Sequence, residues 1–106
     1  MSLPELTGAQ RTHLRGLGQL LSDSLRIGRQ GPTPALFAEL SRQLDTRELV
    51  KARFEAADRD ERAAMIERMA AETPCLCVGA VGRTALFYRP HPDVTKRQAL
   101  GGKAAS

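Results

Sequence analysis

Tryptophan is absent from this sequence, and aromatic residues make up 4% of its 106 residues. Ring platforms for bases or sugars are therefore scarce, and stacking cannot be the main recognition chemistry. Cysteine is confined to Cys75 and Cys77. Two apart on a strand they would share a face at a poor angle for a disulfide, and CxC is neither a redox pair nor a zinc half-site. Two buried free thiols are the expectation. The histidines, His13 and His91, have no fixed acid or nucleophile beside them in sequence, and metal-ligand spacing is missing. No catalytic residue, metal ligand or cofactor is assigned, and an enzyme is not expected. The N-terminal MSLPELTGAQ lacks an apolar core, and no run approaches a membrane span. These absences point to a reducing cytoplasm without a membrane partner.

What is present is ordinary for a globular domain: 42% hydrophobic and 26% charged residues, enough for one core. Residues 1–90 are expected to form that domain, and residues 91–106 a flexible basic tail rich in Gly, Ala and Lys. The net charge is +4, but it is unevenly placed. Glu55, Asp58, Asp60, Glu61, Glu67 and Glu72 stand against Arg59, Arg62 and Arg68, so that segment is acidic and the remainder strongly basic. Such a chain can offer a basic face to a polyanion while turning an acidic helix away, or it can simply carry a solvated surface of mixed sign.

Thr7 and Gln10 form a capping-box pair ahead of Leu14, Leu17 and Leu21 at helical spacing, which predicts a helix over 8–21. Arg11, His13 and Arg15 give it a basic side; Gly16 and Gly18 weaken its end. SLRIG then reads as a short strand with Arg26 on one side. Thr33 and Pro34 supply the N-cap and first turn of a second helix, buried through Leu36, Phe37, Leu40 and Leu44 and ending near Asp45. ELVKARF, residues 48–54, alternates as a strand with Val50, Ala52 and Phe54 towards the core and Lys51 and Arg53 on the non-core side. Asp58 and Glu61 cap a third helix lined by Met65, Ile66, Met69 and Ala70. CLCVGAV and TALFYR, joined at Gly82 and Arg83, form a hairpin whose strands are covered on both faces. The order αβαβαββ predicts one mixed sheet packed with helices, an α/β or α+β fold.

Two GxxG spacings occur. GAVG, residues 79–82, has no donor side chain between its glycines and reads as close backbone packing plus a turn. Gly28 to Gly31 lies between a strand and a helix N-terminus, with Arg29 and Gln30 inside it and Arg26 just upstream. There the backbone can approach a phosphate closely and helical N–H groups can face it. A loop of this kind clamps a nucleic-acid backbone without reading bases, although a plain strand-to-helix turn has the same pattern. Lys51 and Arg53 add a possible basic strip beside it.

The pieces HLRGLG, LRIGRQGPT, ELVKARF and VGRTALFYRP, in this order across residues 6–90, resemble the CRM domain (chloroplast RNA splicing and ribosome maturation), above all its stand-alone bacterial YhbY form. The resemblance implies a four-stranded mixed sheet with helices, similar to the C-terminal domain of translation initiation factor three. It also implies RNA as the partner, specifically large-subunit ribosomal RNA or its precursor particle; apart from the resemblance, a monomer is expected. Carried onto this chain, the family's RNA-binding loop falls on Gly28, Arg29, Gln30, Gly31 and the following Thr33. Its basic strand positions fall on Lys51 and Arg53, and those of the closing hairpin on Arg83 and Arg89. Where the family commonly has leucine after the second glycine, this chain has Pro32, which removes an N–H and fixes φ at the loop's exit. The alternative is a protein-interaction module that joins an assembly through its third helix.

Overall fold

The structure, a computed structural model, describes residues 3–93, 95 and 97. The expected basic tail, 91–106, lies mostly outside the described residues. Helix α1, Gly8–Gln19, opens on the expected capping box: Gln10 N–H donates to Thr7 Oγ1 at 3.0 Å and Thr7 N–H to Gln10 Oε1 at 2.9 Å. It stops short of Leu21, because Leu20 and Leu21 donate to Leu17 O and Gly18 O in a tightened last turn. Strand β1 is Leu25–Ile27, helix α2 Pro34–Arg47, strand β2 Leu49–Phe54 and helix α3 Arg59–Glu72. The hairpin strands are β3, Leu76–Val81, and β4, Thr84–Tyr88, with Gly82 at φ 57 in the turn. α2 runs slightly past Asp45 and closes on Glu48, whose φ of 63 places a buried non-glycine residue in the left-handed region.

The four strands pair in the order β1-β2-β4-β3, with β1 and β2 parallel and the other neighbours antiparallel. A residue's side of the sheet follows from alternation along each strand. Leu25, Ile27, Val50, Ala52, Phe54, Ala85 and Phe87 build the main core with Leu40 and Leu44 of α2 and Met69 of α3. On the opposite face Leu14 and Leu17 of α1 meet Leu49, Val78, Leu86 and Tyr88 in a second core. The domain is thus three layers, with α1 alone on one side. Gly18 permits this contact, since a Cβ there would stand 2.5 Å from Leu86 Cδ2.

The side of β2 opposite the first core is therefore not an open strand face, as alternation alone suggested. α1 covers much of it. β3 bulges between Cys77 and Gly79, and the Val78 carbonyl freed there accepts from Arg15 Nε of α1 at 3.0 Å. Gly79 lets the Arg15 stem lie flat on the strand, with Cγ 3.1 Å from where a Cβ would be. GAVG thus does what its sequence context implies: close packing at Gly79 and a turn at Gly82.

Candidate nucleic-acid interface

At the carboxyl end of β1 the chain turns through Gly28 to Gly31, and the Gly31 N–H closes the turn on Gly28 O at 3.0 Å. The two glycines have different reasons to be there. Gly31 has φ +82 and sits buried with Met65 Cε of α3 3.3 Å from its absent Cβ, so the fold itself requires it. Gly28 has an ordinary φ and nothing within 4 Å of a Cβ position. Its open side faces outward beside Arg29 and Gln30, both exposed. Pro32 is buried. Because the turn is closed by Gly31, the N–H that proline lacks is not needed to hold the loop's shape.

The row of helical donors expected behind the loop is mostly spent within the chain. Pro34 has no N–H, Leu36 N–H donates to Thr33 Oγ1 at 3.2 Å, and Phe37 N–H to Thr33 O at 3.0 Å. Thr33 is therefore the N-cap of α2. The exposed loop tip, more than the helix end, carries the available donors.

Three segments converge at this end of the sheet. Glu55 N–H donates to Ile27 O at 2.9 Å and Phe54 N–H to Arg83 O at 2.8 Å, tying the loop, the β2–α3 link and the hairpin turn together. Arg83 is exposed and donates to Glu55 O at 3.3 Å. Arg26 and Arg53 stand side by side in the parallel register, on the face opposite the main core. Arg26 has a loose, exposed ion pair with Asp23 at 3.6 Å, while Arg53 is exposed without an ion pair among the described residues. Like charges directly opposite each other on neighbouring strands repel, so the pairing has no stabilising role in the sheet.

Lys51 and Arg89 are placed differently from Arg53. Lys51 shares the face of Arg53 but is partly buried under α1, where Nζ donates to Gly18 O at 3.3 Å and Leu21 O at 3.4 Å. It supplies a cation to the helix's C-terminus. Arg89 lies at the other end of β4, five residues and about 17 Å from the hairpin turn. Its Nη2 donates to Ser41 O at 2.9 Å, Ser41 Oγ at 3.1 Å and Asp45 Oδ1 at 2.8 Å, and its Nη1 to Pro74 O at 3.4 Å. With its side chain 12% exposed, this guanidinium joins α2 to the start of β3.

The sheet also sorts the charge. α3, which carries Asp60, Glu61, Glu67 and Glu72, packs on the main core, while Arg15, Lys51, Arg26 and Arg53 belong to the α1 face. Met65 and Ile66 of α3 pack against the core, so its outward surface is charged rather than apolar. Arg15 was visible in the sequence as part of a basic helix side; its place over β3 was not.

Burial pushes the Cys75 thiol up to about 12 and raises that of Cys77 as well. Both cysteines are free. His91 Nδ1 accepts from Asp93 N–H at 3.0 Å, and His13 is exposed on α1. Among the described residues no group of three or more His, Cys, Asp or Glu side chains is placed to hold a metal, and no helix is long and apolar enough to cross a membrane.

Comparison with known proteins agrees with this architecture. A probable RNA-binding protein of Pseudomonas aeruginosa is 33% identical over 91 residues, covering 86% of this chain and 88% of that protein. An RNA-binding protein of Haemophilus influenzae is 31% identical over 88 residues, covering 83% and 89% respectively. The solution structure of the Staphylococcus aureus protein SAV1595 shares the fold with a TM-score of 0.76 at 23% identity, covering 89% of this chain and 98% of that one. The CRS1 / YhbY (CRM) domain matches residues 6–89, from the lead into α1 to the end of β4, and the chain belongs to that family.

Proposed function

We propose that this chain is a non-enzymatic RNA-binding protein that holds the backbone of structured ribosomal RNA during assembly of the large ribosomal subunit. The observation that carries the reading is the loop Gly28 to Gly31: its tip exposes Arg29 and Gln30, and its first glycine leaves open space where no contact of the fold needs it. Arg26, Arg53 and Arg83 border the loop, and the acidic helix lies on the other side of the sheet. The names of the Pseudomonas and Haemophilus relatives support RNA as the ligand class.

Phosphate and sugar contacts dominate such an interface, because the aromatic residues needed for base stacking are few and Phe54, Phe87 and Tyr88 are buried. Arg89 is left out, its donors being committed within the fold. Lys51 contributes a partly screened charge beneath α1.

Gel-shift titration with large-subunit ribosomal RNA tests the reading. Arg29→Glu combined with Arg53→Glu abolishes binding, and the wild-type affinity falls steeply with salt. Undiminished binding by that double variant would remove the site from consideration. Gradient sedimentation of a cell extract addresses the assembly role: the protein travels with large subunits or their precursors, and absence from both argues against that role.

A further inference from the structure

α1 covers its face of the sheet at one end only. Leu14 and Leu17 sit over Leu49, Leu86 and Tyr88, and beyond Gly18 the face opens into a groove of about 610 Å³. That volume lies within the roughly 300–1,000 Å³ typical of small-molecule sites. On the α1 face Gly79 and Leu86 lie beneath it, with Arg15, Gln19, Lys51, Val81 and Thr84 around it. Val81 is 80% exposed, a large aliphatic residue facing water at the groove's lip. Among the described residues no acidic side chain lines the groove.

The cations here have donors to spare. Arg15 commits Nε to Val78 O, and its two terminal NH₂ groups have no partner among the described residues. Lys51 uses two of its three donors on carbonyls. On the same face Thr84 stands opposite Arg53, and Arg53 beside Arg26, one residue from the strand's last position before Gly28. The cationic rim is therefore continuous with the loop.

We propose that this groove takes an unpaired nucleotide of the RNA whose backbone the loop holds, with the base against Leu86 and Val81 and a phosphate against Arg15 and Lys51. The inference rests on the RNA-binding reading above and extends it from backbone to base. The aliphatic side chains of Leu86 and Val81 beside the cations Arg15 and Lys51 match the two halves of a nucleotide. A basic peptide is repelled, and a duplex is too wide to enter and keeps its bases paired inside. Thr84 Oγ1 already donates to Val81 O at 2.9 Å, and no aromatic residue is among those lining the groove, so the base is held by aliphatic contact rather than by stacking.

Amide chemical-shift mapping of the ¹⁵N-labelled protein provides the test, with a short oligoadenylate and an RNA duplex of equal length as probes. Oligoadenylate is expected to shift Gly79, Ala80, Val81 and Thr84 together with Arg29 and Gln30, and the duplex to shift the loop residues alone. Val81→Glu then weakens oligoadenylate binding about tenfold, whereas Ala71→Glu, the same charge change on exposed α3, does not. Shifts confined to Arg29 and Gln30 with both RNAs overturn the groove assignment and leave the loop reading intact. No shift with either RNA overturns both. Groove shifts produced by an acidic peptide and by neither RNA assign the groove to a protein partner and overturn the nucleotide.

Discussion

The two glycines of the loop make a paired experiment, because one serves the fold and the other, on the reading given above, serves the ligand. At Gly28 the φ is ordinary and a Cβ meets nothing within 4 Å. Alanine there restricts the unfolded chain without straining the folded one, which stabilises by about 0.4–1 kcal/mol and raises Tm by roughly 2–8 °C. At Gly31 the φ of +82 costs alanine about 1–2 kcal/mol, and Met65 Cε, 3.3 Å from the new methyl, must also give way. Gly31→Ala therefore lowers Tm by several degrees. The RNA assay then inverts the order of interest: the more stable Gly28→Ala loses affinity by about tenfold or more, since its methyl stands where a phosphate approaches the backbone, a loss of about 1.4 kcal/mol. Differential scanning fluorimetry and fluorescence anisotropy on the same preparations supply both readouts. If Gly28→Ala binds RNA like the wild type, close backbone approach at that residue is not how the loop works. A fall in its Tm would show instead that the position is not open.

Arg89→Met removes charged hydrogen bonds to Ser41 and Pro74 carbonyls and should cost about 1.5–3 kcal/mol in urea unfolding, with the exposed Asp45 adding little; RNA affinity of the folded fraction stays unchanged, and a selective loss of affinity would return Arg89 to the interface. Glu39, hydrogen-bonded by Arg42 and Gln43, has its carboxyl lowered from 4.5 to about 2. A depressed carboxyl stabilises above its unfolded value, so this contribution is complete above pH 4.5 and is lost as pH falls towards 2; Tm measured across that window should drop less steeply in Glu39→Gln, and parallel curves would contradict the assignment. Cys75, raised to about 12, and Cys77 should react slowly with a thiol-disulfide reagent at pH 8 in the native protein and rapidly in denaturant. Fast native labelling of Cys75 would mean that the main core opens readily.

Local chemistry was legible from the chain. Thr7 with Gln10, Asp58 with Glu61, and Thr33 with Pro34 each cap the helix they precede, because a cap is written within four residues of sequence. The core face of ELVKARF was legible for the same reason: alternation is a local property. Lys51 shows where that stops. Its pattern says that it points away from Val50 and Ala52, but the groups that receive its ammonium, Gly18 O and Leu21 O, lie 33 and 30 residues earlier. Which layer α1 joins is a tertiary choice that its leucine spacing does not encode. Arg89 is the stronger case, since Ser41, Asp45 and Pro74 come together around it only when α2 and β3 dock. The loop was legible as a spacing. Its division of labour, with Gly31 held by Met65 and Gly28 free, needed the position of α3.

β3 is the last strand of the sheet, and among the described residues no strand pairs with its outer edge. Such an edge offers unpaired N–H and C=O groups to any passing strand, the usual beginning of fibre-like association. Here the bulge between Cys77 and Gly79 puts the outer groups out of phase with a straight partner, and Arg15 already holds the Val78 carbonyl. A second chain could add to this edge only by breaking that bond and straightening the strand. The arginine stem that seats α1 on the sheet through Gly79 thus also makes this edge a poor template for an added strand.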